Sequence, residues 1–309
     1  MYSSFIFYKM RIKDLISNAF YGGMYNVALI TPNDSVDVRK TEVEKTAHWI
    51  DMNGYTHGWF ADPFIYDVKD DVIEVLVEEY EYHNSKGKLS MITVDKKTYK
   101  LLKVDEILCL DTHLSFPNIF RDGDKVYVYP ENSEGGRLKI YEFDYQNKKL
   151  VEIGVLVEKP LLDSQLLKID DSYYVFGIER PKIRGDYRIE QIFKSSSLFG
   201  PYEKTQEIVN EKNEQRGAGA FFYDNGSLIR PAQCCEGGYG KGVIFYEISF
   251  DNNMVKEKML GRISPNPKGN WTQQLHTFNR HKGWTIIDGY EYFHPTLNKL
   301  VSLVRPIKG

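Results

Sequence analysis

A segment of apolar residues that enters a polar turn and returns as a β-rich run recurs five times along this chain, at a spacing of roughly fifty residues. The first copy reads Ala61-Asp62-Pro63-Phe64-Ile65-Tyr66, turns at Lys69 to Asp71 and continues as Val72 to Glu78. The second is Ser115-Phe116-Pro117-Asn118-Ile119-Phe120, a turn at Asp122 to Asp124, then Val126-Tyr127-Val128-Tyr129. The third is Leu162-Asp163-Ser164-Gln165-Leu166-Leu167, a turn at Asp170-Asp171, then Tyr173-Tyr174-Val175-Phe176. The fourth is Gly217-Ala218-Gly219-Ala220-Phe221-Phe222, a turn at Asp224 to Gly226, then Leu228-Ile229. The fifth and least regular is His276-Thr277-Phe278, a turn at His281 to Gly283, then Trp284 to Ile287.

A repeat of this length matches a propeller blade of about four strands, and five such units fill the chain. The expected fold is therefore all-β: a five-bladed β-propeller with four-stranded antiparallel blades. A two-sheet sandwich of ordinary hairpins is the alternative, but nothing in a sandwich requires recurrence at this period. Residues 1–45 are expected to form an N-terminal extension with a candidate ring-closing strand, and residues 46–309 the propeller domain. Within the extension, residues 11–22 suit a short amphipathic helix ending at Gly22-Gly23.

The remaining composition excludes several function classes. A net charge of −3 leaves no electrostatic footprint for nucleic acid. No window approaches the roughly 18 apolar residues of a transmembrane segment. The apolar start, Met1 to Tyr8, has no early basic region and no small-residue cleavage site, so it does not read as a secretory signal. Three cysteines, two of them the adjacent Cys234-Cys235, make no disulfide framework. A cytoplasmic setting is expected. Gly237-Gly238-Tyr239-Gly240 lacks the strand-to-helix context of a phosphate-cradling loop. The histidines lack zinc-site spacing, so neither a metal nor another cofactor is expected.

In a propeller the first strand of each blade lines the central channel, so equivalent positions of the repeat converge. The column headed by Asp62 holds Phe116, Asp163 and Ala218 in the next three blades. Asp62 can serve as a base or as a carboxylate facing a cationic sugar centre; an Asp before Pro also simply opens turns. Asp163 suits an electrostatic partner or a ligand to sugar hydroxyls. Glu131, Glu79 and Glu179 each end a strand-like run and are candidates for an acid. Arg216 and Arg230 offer the two-pronged donor set that binds phosphate or carboxylate, unless each is committed to an internal acid. His113, His276 and His57 open blades and can bind hydroxyls or carry a proton. The amides of Asn118, Gln165 and Gln233 complete the candidate substrate-binding set. Trp59, Trp271 and Trp284 suit either a sugar-stacking wall or the core.

The run Ala61-Asp62-Pro63 resembles the first-blade motif of the five-bladed furanosidase-like glycosidases. That likeness implies a catalytic-base role for Asp62 and places Asp163 where arabinanase-type members carry an acid that tunes the proton donor. A closer resemblance covers about residues 57 to 290. It rests on Phe60-Ala61-Asp62-Pro63-Phe64, His113-Leu114-Ser115-Phe116-Pro117 with Tyr129-Pro130-Glu131, and Leu198-Phe199-Gly200-Pro201-Tyr202. Arg216-Gly217-Ala218-Gly219, Arg230-Pro231-Ala232-Gln233 with Tyr239-Gly240, and His276-Thr277-Phe278-Asn279 carry the rest. Together they resemble the propeller domain at the N-terminus of glucosamine inositolphosphorylceramide transferases and related bacterial domains, some attached to formyltransferase-like domains, associated with surface-polysaccharide synthesis.

Blade four departs from the glycosidase pattern: Arg216-Gly217-Ala218-Gly219 stands where the resemblance implies a proton-donating glutamate, and Glu214 is off the column. Glycoside hydrolysis ordinarily needs two carboxylates. The expected function is therefore a carbohydrate-active enzyme acting at a furanose-like or phosphate-activated glycosidic centre, with glycosyl transfer in surface-polysaccharide assembly as the leading reaction. Its partner is a sugar or oligosaccharide, with a sugar phosphate as candidate donor. A furanosidase-like hydrolase with a relocated acid and a non-catalytic glycan-binding propeller are the alternatives.

Overall fold

In the computed structural model, residues 22–34, 36–39, 46–183, 185–252 and 254–293 are described. They form five four-stranded antiparallel sheets. The first holds β3 (Gly58–Val68), β4 (Val72–Glu81), β5 (Lys86–Asp95) and β6 (Leu101–Leu108). The second holds β7 (Ser115–Asp122), β8 (Lys125–Glu131), β9 (Leu138–Asp144) and β10 (Lys149–Val157). The third comprises β11 (Leu161–Ile169), β12 (Ser172–Glu179), β13 (Ile189–Ser195) and β14 (Glu203–Val209), and the fourth β15 (Phe222–Asp224), β16 (Ser227–Gln233), β17 (Val243–Asp251) and β18 (Met254–Ile263). The fifth mixes chain ends: β19 (Phe278–His281) and β20 (Trp284–Tyr292) are followed by β1 (Gly23–Ile30) and β2 (His48–Trp49).

The fold is a five-bladed β-propeller, and the recurring segments are the first and second strands of its blades. Tight turns close the inner hairpins. Asn225 and Gly226, at φ 49° and 84°, and Lys282 and Gly283, at 48° and 81°, supply the left-handed pairs whose twist suits a two-residue hairpin. Ring closure is a strand pairing: β1 runs antiparallel to β20 over Gly23↔Tyr292 to Ile30↔Thr285. The helix expected over residues 11–22 lies, apart from Gly22, outside the described residues.

Burial follows from blades packing face to face. Five apolar clusters form, one for each junction between neighbouring blades. Phe64, Leu76 and Met91 of blade one meet Phe116 and Val128 of blade two; Val27 and Ile286 of blade five meet Phe60 and Val75 of blade one. Middle strands are covered on both faces, so β4 is buried over Ile73 to Glu79, whereas the outer β14 is mostly exposed.

The inner strands share a local distortion that builds the hub. A bulge interrupts β3 between Ala61 and Phe64, β7 between Ser115 and Asn118, and β11 between Leu162 and Gln165. At each bulge a non-glycine residue takes a left-handed backbone: Asp62 at φ 49°, Phe116 at 46° and Asp163 at 38°. Such residues are uncommon outside sites where the surroundings hold them, and bulges re-aim side chains. Blade four has glycines instead; a Cβ on Gly217 would lie 2.1 Å from the Asp163 carbonyl oxygen, and one on Gly219 2.0 Å from that of Phe278.

Hydrogen bonds at the bulges stitch each blade to the next. Phe116 N–H donates to Asp62 Oδ2 (3.1 Å), and Asn118 Nδ2 to the Ser164 carbonyl (3.1 Å). Gln165 Nε2 donates to the carbonyls of Gly219 and Pro231 (2.5 and 3.0 Å). Asn279 accepts from Ala220 N–H (2.7 Å) and donates to the Pro63 carbonyl (2.8 Å), joining blades four, five and one. Asn279→Ala would leave a buried donor and acceptor unpaired, and a loss of roughly 2–4 kcal/mol in urea-unfolding stability is expected; an unchanged midpoint would show that the ring does not rely on this stitch.

Candidate functional site

Five carboxyl groups gather where the inner strands converge: Asp62 and Asp163 from the bulges, and Glu78, Glu131 and Asp288 from the second strands of blades one, two and five. All are buried. Two cations sit among them. His276 Nδ1 lies 2.5 Å from Asp288 Oδ2 and its Nε2 lies 3.8 Å from Asp62 Oδ1. Arg216 donates through Nε to Asp163 Oδ2 and through Nη2 to Glu131 Oε2 at 3.2 Å.

Neighbouring groups fix these positions. Asp62 accepts from Thr277 Oγ1 (2.8 Å) and from Phe116 N–H, while its own N–H donates to Asp288 Oδ2 (3.3 Å). Asp288 also accepts from the backbone of His276 and Thr277 (3.0 and 2.9 Å). Tyr25 of the ring-closing strand stacks on His276, centroids 4.9 Å apart and planes at 10°. Gln233 Nε2 donates to Asp163 Oδ2 (2.6 Å) and the Gly217 carbonyl (2.8 Å), so it positions Asp163. The Arg216 guanidinium lies between the rings of Tyr187 and Tyr239, at 4.9 and 5.1 Å. Asp163 Oδ1 has no hydrogen-bond partner.

Burying so many carboxyls forces their protonation apart. Burial and the neighbouring Asp62 charge hold Glu78 well above the usual carboxylate range; burial and Asp163 do the same to Glu131. Asp62 is pushed up to about 6 by burial, with the His276 charge pulling the other way. Burial also acts on Asp163, but Arg216 and a hydrogen bond from Glu131 outweigh it and keep that carboxyl below its ordinary value. His276 is raised to about 9: burial lowers it, and Asp288 more than compensates. The hub thus pushes Glu131 up and Asp163 down, a separation of the kind that marks acid and base roles in many sites. His113 is kept neutral by burial; its Nδ1 accepts from Gly87 N–H (2.9 Å) and its Nε2 lies 3.4 Å from Glu78.

A cavity of about 600 Å³ opens beside the hub, with Glu131 and Arg216 in its wall together with His113, Tyr187, Arg180 and Lys182. Asp163 is one hydrogen bond behind that wall; Asp62 is not part of it. Asp62, His276 and Asp288 each bring a ligand-type atom within 4.8 Å of the others. That arrangement is already an ion pair, with the imidazole as the cation between two carboxylates.

The structure thus gathers Asp62, Asp163, Glu131, Arg216, His113, His276 and Gln233. It places three other expected site residues elsewhere. Arg230 is fully buried away from the hub, its guanidinium held by Glu190, by Glu257 (3.0 Å) and by Gln165 Oε1 (2.9 Å), so it has no donor free for a substrate phosphate. Asn118 and Gln165 are committed through their amide N–H groups to the backbone of the next blade. Glu79 faces Ser90 and Tyr55, and Glu179 pairs with Lys159 (2.5 Å), so neither supplies the acid. Trp284 is core and Trp271 tilts against Trp49.

Glu78 and Asp288 are the residues that sequence reasoning missed. The signal lay in the second strands: the runs Val72 to Glu78, Lys125 to Glu131, Ser227 to Gln233 and Trp284 to Asp288 each end on a polar residue at the hub.

The family model for the N-terminal region of glucosamine inositolphosphorylceramide transferase 1 matches residues 42–269. The chain belongs to this family. It is 31% identical over 205 residues to glucosamine inositolphosphorylceramide transferase 1 of Oryza sativa subsp. japonica, covering 63% of this chain and 27% of the relative. The Arabidopsis thaliana protein of that name is 30% identical over 202 residues, covering 62% and 26%. The chain thus spans about a quarter of the length of these curated relatives. Among solved structures it is similar to an exo-beta-1,3-galactanase from Phanerochaete chrysosporium with galactose, at 14% identity and a TM-score of 0.54, over 68% of this chain and 53% of that one. A GH43 beta-1,3-galactosidase with galactodeoxynojirimycin gives 11% identity and 0.50, over 68% and 82%. At these identities the likeness is one of fold.

Two stability predictions follow from the buried charges. Arg230→Met leaves Glu190 and Glu257 without their counter-ion, and a loss of roughly 3–5 kcal/mol in urea unfolding is expected; a loss below about 1 kcal/mol would mean the pair is dispensable. A group whose pKa is raised on folding stabilises the fold below its unfolded value and loses that contribution as pH rises through the folded value. For His276 this window runs from 6.5 to about 9. Across it the urea midpoint should fall by the equivalent of roughly 2–3 kcal/mol more in the native chain than in His276→Gln. Parallel pH profiles for the two would rule out a charged His276.

Proposed function

We propose that this chain is a carbohydrate-active enzyme that transfers a glycosyl group from a phosphate-bearing donor to a hydroxyl acceptor, in the assembly of a surface polysaccharide. One observation carries the reading: a buried acid, Glu131, and a fixed guanidinium, Arg216, stand side by side in the wall of one cavity. Arg216 is held by Asp163 and Tyr187, so it meets the charge arriving on a leaving phosphate without first reorganising. Glu131, whose protonated form burial favours, supplies the proton or hydrogen bond that the leaving oxygen needs.

In this scheme the bond from the anomeric carbon to the donor oxygen breaks and the leaving group keeps the electron pair. The acceptor oxygen forms the new bond, and its proton passes inward, to Asp163, which Arg216 holds ionised behind the cavity wall, and on to Asp62 deeper in the hub, held by Thr277 and Phe116. The relatives' name, a glucosamine inositolphosphorylceramide transferase, fits glycosyl transfer in a setting where phosphate is present. With water in place of the acceptor, the same acid and base would perform hydrolysis. That second reading is favoured by the two carboxyl groups that hydrolysis needs, Glu131 in the wall and Asp163 behind it.

The test is a screen of sugar phosphates and furanosides with and without acceptor, followed by variants. Transfer or release should drop on the order of 10²–10⁴-fold in Asp62→Asn and in Glu131→Gln, with the fold intact by circular dichroism. Product that appears only with acceptor selects transfer, and free sugar without acceptor selects hydrolysis. Oligosaccharide binding that Asp62→Asn leaves unchanged, with no turnover of any donor, would falsify both and leave a glycan-binding propeller.

A further inference from the structure

The cavity wall has a charge pattern that neither the hub nor the family accounts for. Arg180 and Lys182 follow directly on β12 and are exposed at the cavity beside Arg216. Their backbone is anchored: Arg180 N–H donates to the Pro160 carbonyl at 2.9 Å, and Pro181 between them fixes one backbone dihedral. Neighbouring cations are neutralised by their own acids, Lys159 by Glu179 at 2.5 Å and Arg188 by Asp186 at 2.8 Å. Neither Arg180 nor Lys182 has an acidic partner among the described residues.

The acids in the same wall do not cancel them. Glu131 is already committed to Ser133 and Arg216. Glu134 is exposed, and its Oε2 accepts from His113 N–H at 3.3 Å. Outside the Arg216–Asp163–Glu131 cluster, two cations without acidic partners among the described residues therefore meet one exposed acid, Glu134, around a volume of about 600 Å³, within the usual range for a small-ligand site. The face of Tyr187, which carries the Arg216 guanidinium, adds an aromatic wall.

Building on the reading of the site given above, we infer that this cavity takes the anionic end of its ligand, with Arg180 and Lys182 at the rim and Arg216 at the floor closing on a phosphate or carboxylate carried by a sugar. Guanidinium and ammonium groups without internal partners bind such anions through charge-assisted hydrogen bonds. The rim pair selects the ligand, while the floor guanidinium is shared with the reaction. The chemistry is common to a donor phosphate and to the carboxylate of a uronic acid, so the test has one arm for each.

The experiment is calorimetric titration of the whole chain with inorganic pyrophosphate and, separately, with glucuronate, using methyl glucoside as the neutral control. At least one anion should bind at millimolar concentration or below, weaken as sodium chloride is raised, and lose about tenfold or more in affinity in Arg180→Ala/Lys182→Ala. Preference for pyrophosphate identifies the phosphate source, and preference for glucuronate the carboxylate source. Because both side chains are exposed, the double variant should fold normally, and Arg180→Glu/Lys182→Glu should abolish binding altogether. Binding of neither anion, or equal affinity in the native chain and both variants, overturns the inference. Anion binding lost in the variants, without turnover of any donor, upholds the clamp while removing the transferase reading. Turnover of an anionic donor whose KM is unchanged in the double alanine variant does the reverse.

Discussion

The carboxylate of Asp62 is the joint on which the ring turns. It sits at a bulge in the innermost strand of blade one, with a left-handed backbone that an L-residue adopts only under constraint. One oxygen holds the backbone of blade two through Phe116, the other the Thr277 hydroxyl of blade five, and its own N–H is held by Asp288. Three of the five blades thus close on a single residue. The apolar clusters between blades stabilise the packing without direction, so the register of one blade on the next rests on these directed hydrogen bonds.

The same bonds set the electrostatics. A carboxylate buried for structural reasons must be matched, and the hub matches Asp62 and Asp288 with His276, and Asp163 with Arg216. Glu78 and Glu131, without a full counter-charge, are pushed toward the protonated form by burial. Fastening and chemistry are therefore one arrangement: removing a charge from the pair it stabilises loosens the ring and shifts the protonation of its neighbour together. Ionisation and stability at this hub are coupled by construction, as the burial of all five carboxyl groups implies.

The repeat made the fold legible because propeller blades are similar units with similar turns, and it brought Asp62, Asp163 and Arg216 into one column or its edge. What escaped was the side-chain direction within strands. Glu79 and Glu78 are adjacent and both acidic, but alternation sends Glu78 to the hub and Glu79 to Ser90 and Tyr55. Only the pairing of Ala61 with Glu78 decides between them. Arg230 misled for a related reason. A basic residue before Pro in an apolar strand looks channel-facing, but its partners Glu190 and Glu257 come from two other strands far along the chain. Asn118 and Gln165 lie at the right place along the repeat, two residues past the left-handed position, where their amides join blades.

Arg216 shows how one residue type organises the hub. Gly217 lets the chain approach Asp163 so closely that a side chain there would collide with the Asp163 carbonyl oxygen, and this contact delivers the preceding residue onto Asp163 and Glu131. A carboxylate delivered to the same spot would face two other acids, and like charges at such range cannot all ionise. A guanidinium there has the opposite effect: it holds Asp163 below its ordinary value and pulls against the burial that raises Glu131. The fourth blade thus brings a guanidinium, not a further carboxylate, to a hub already crowded with acids.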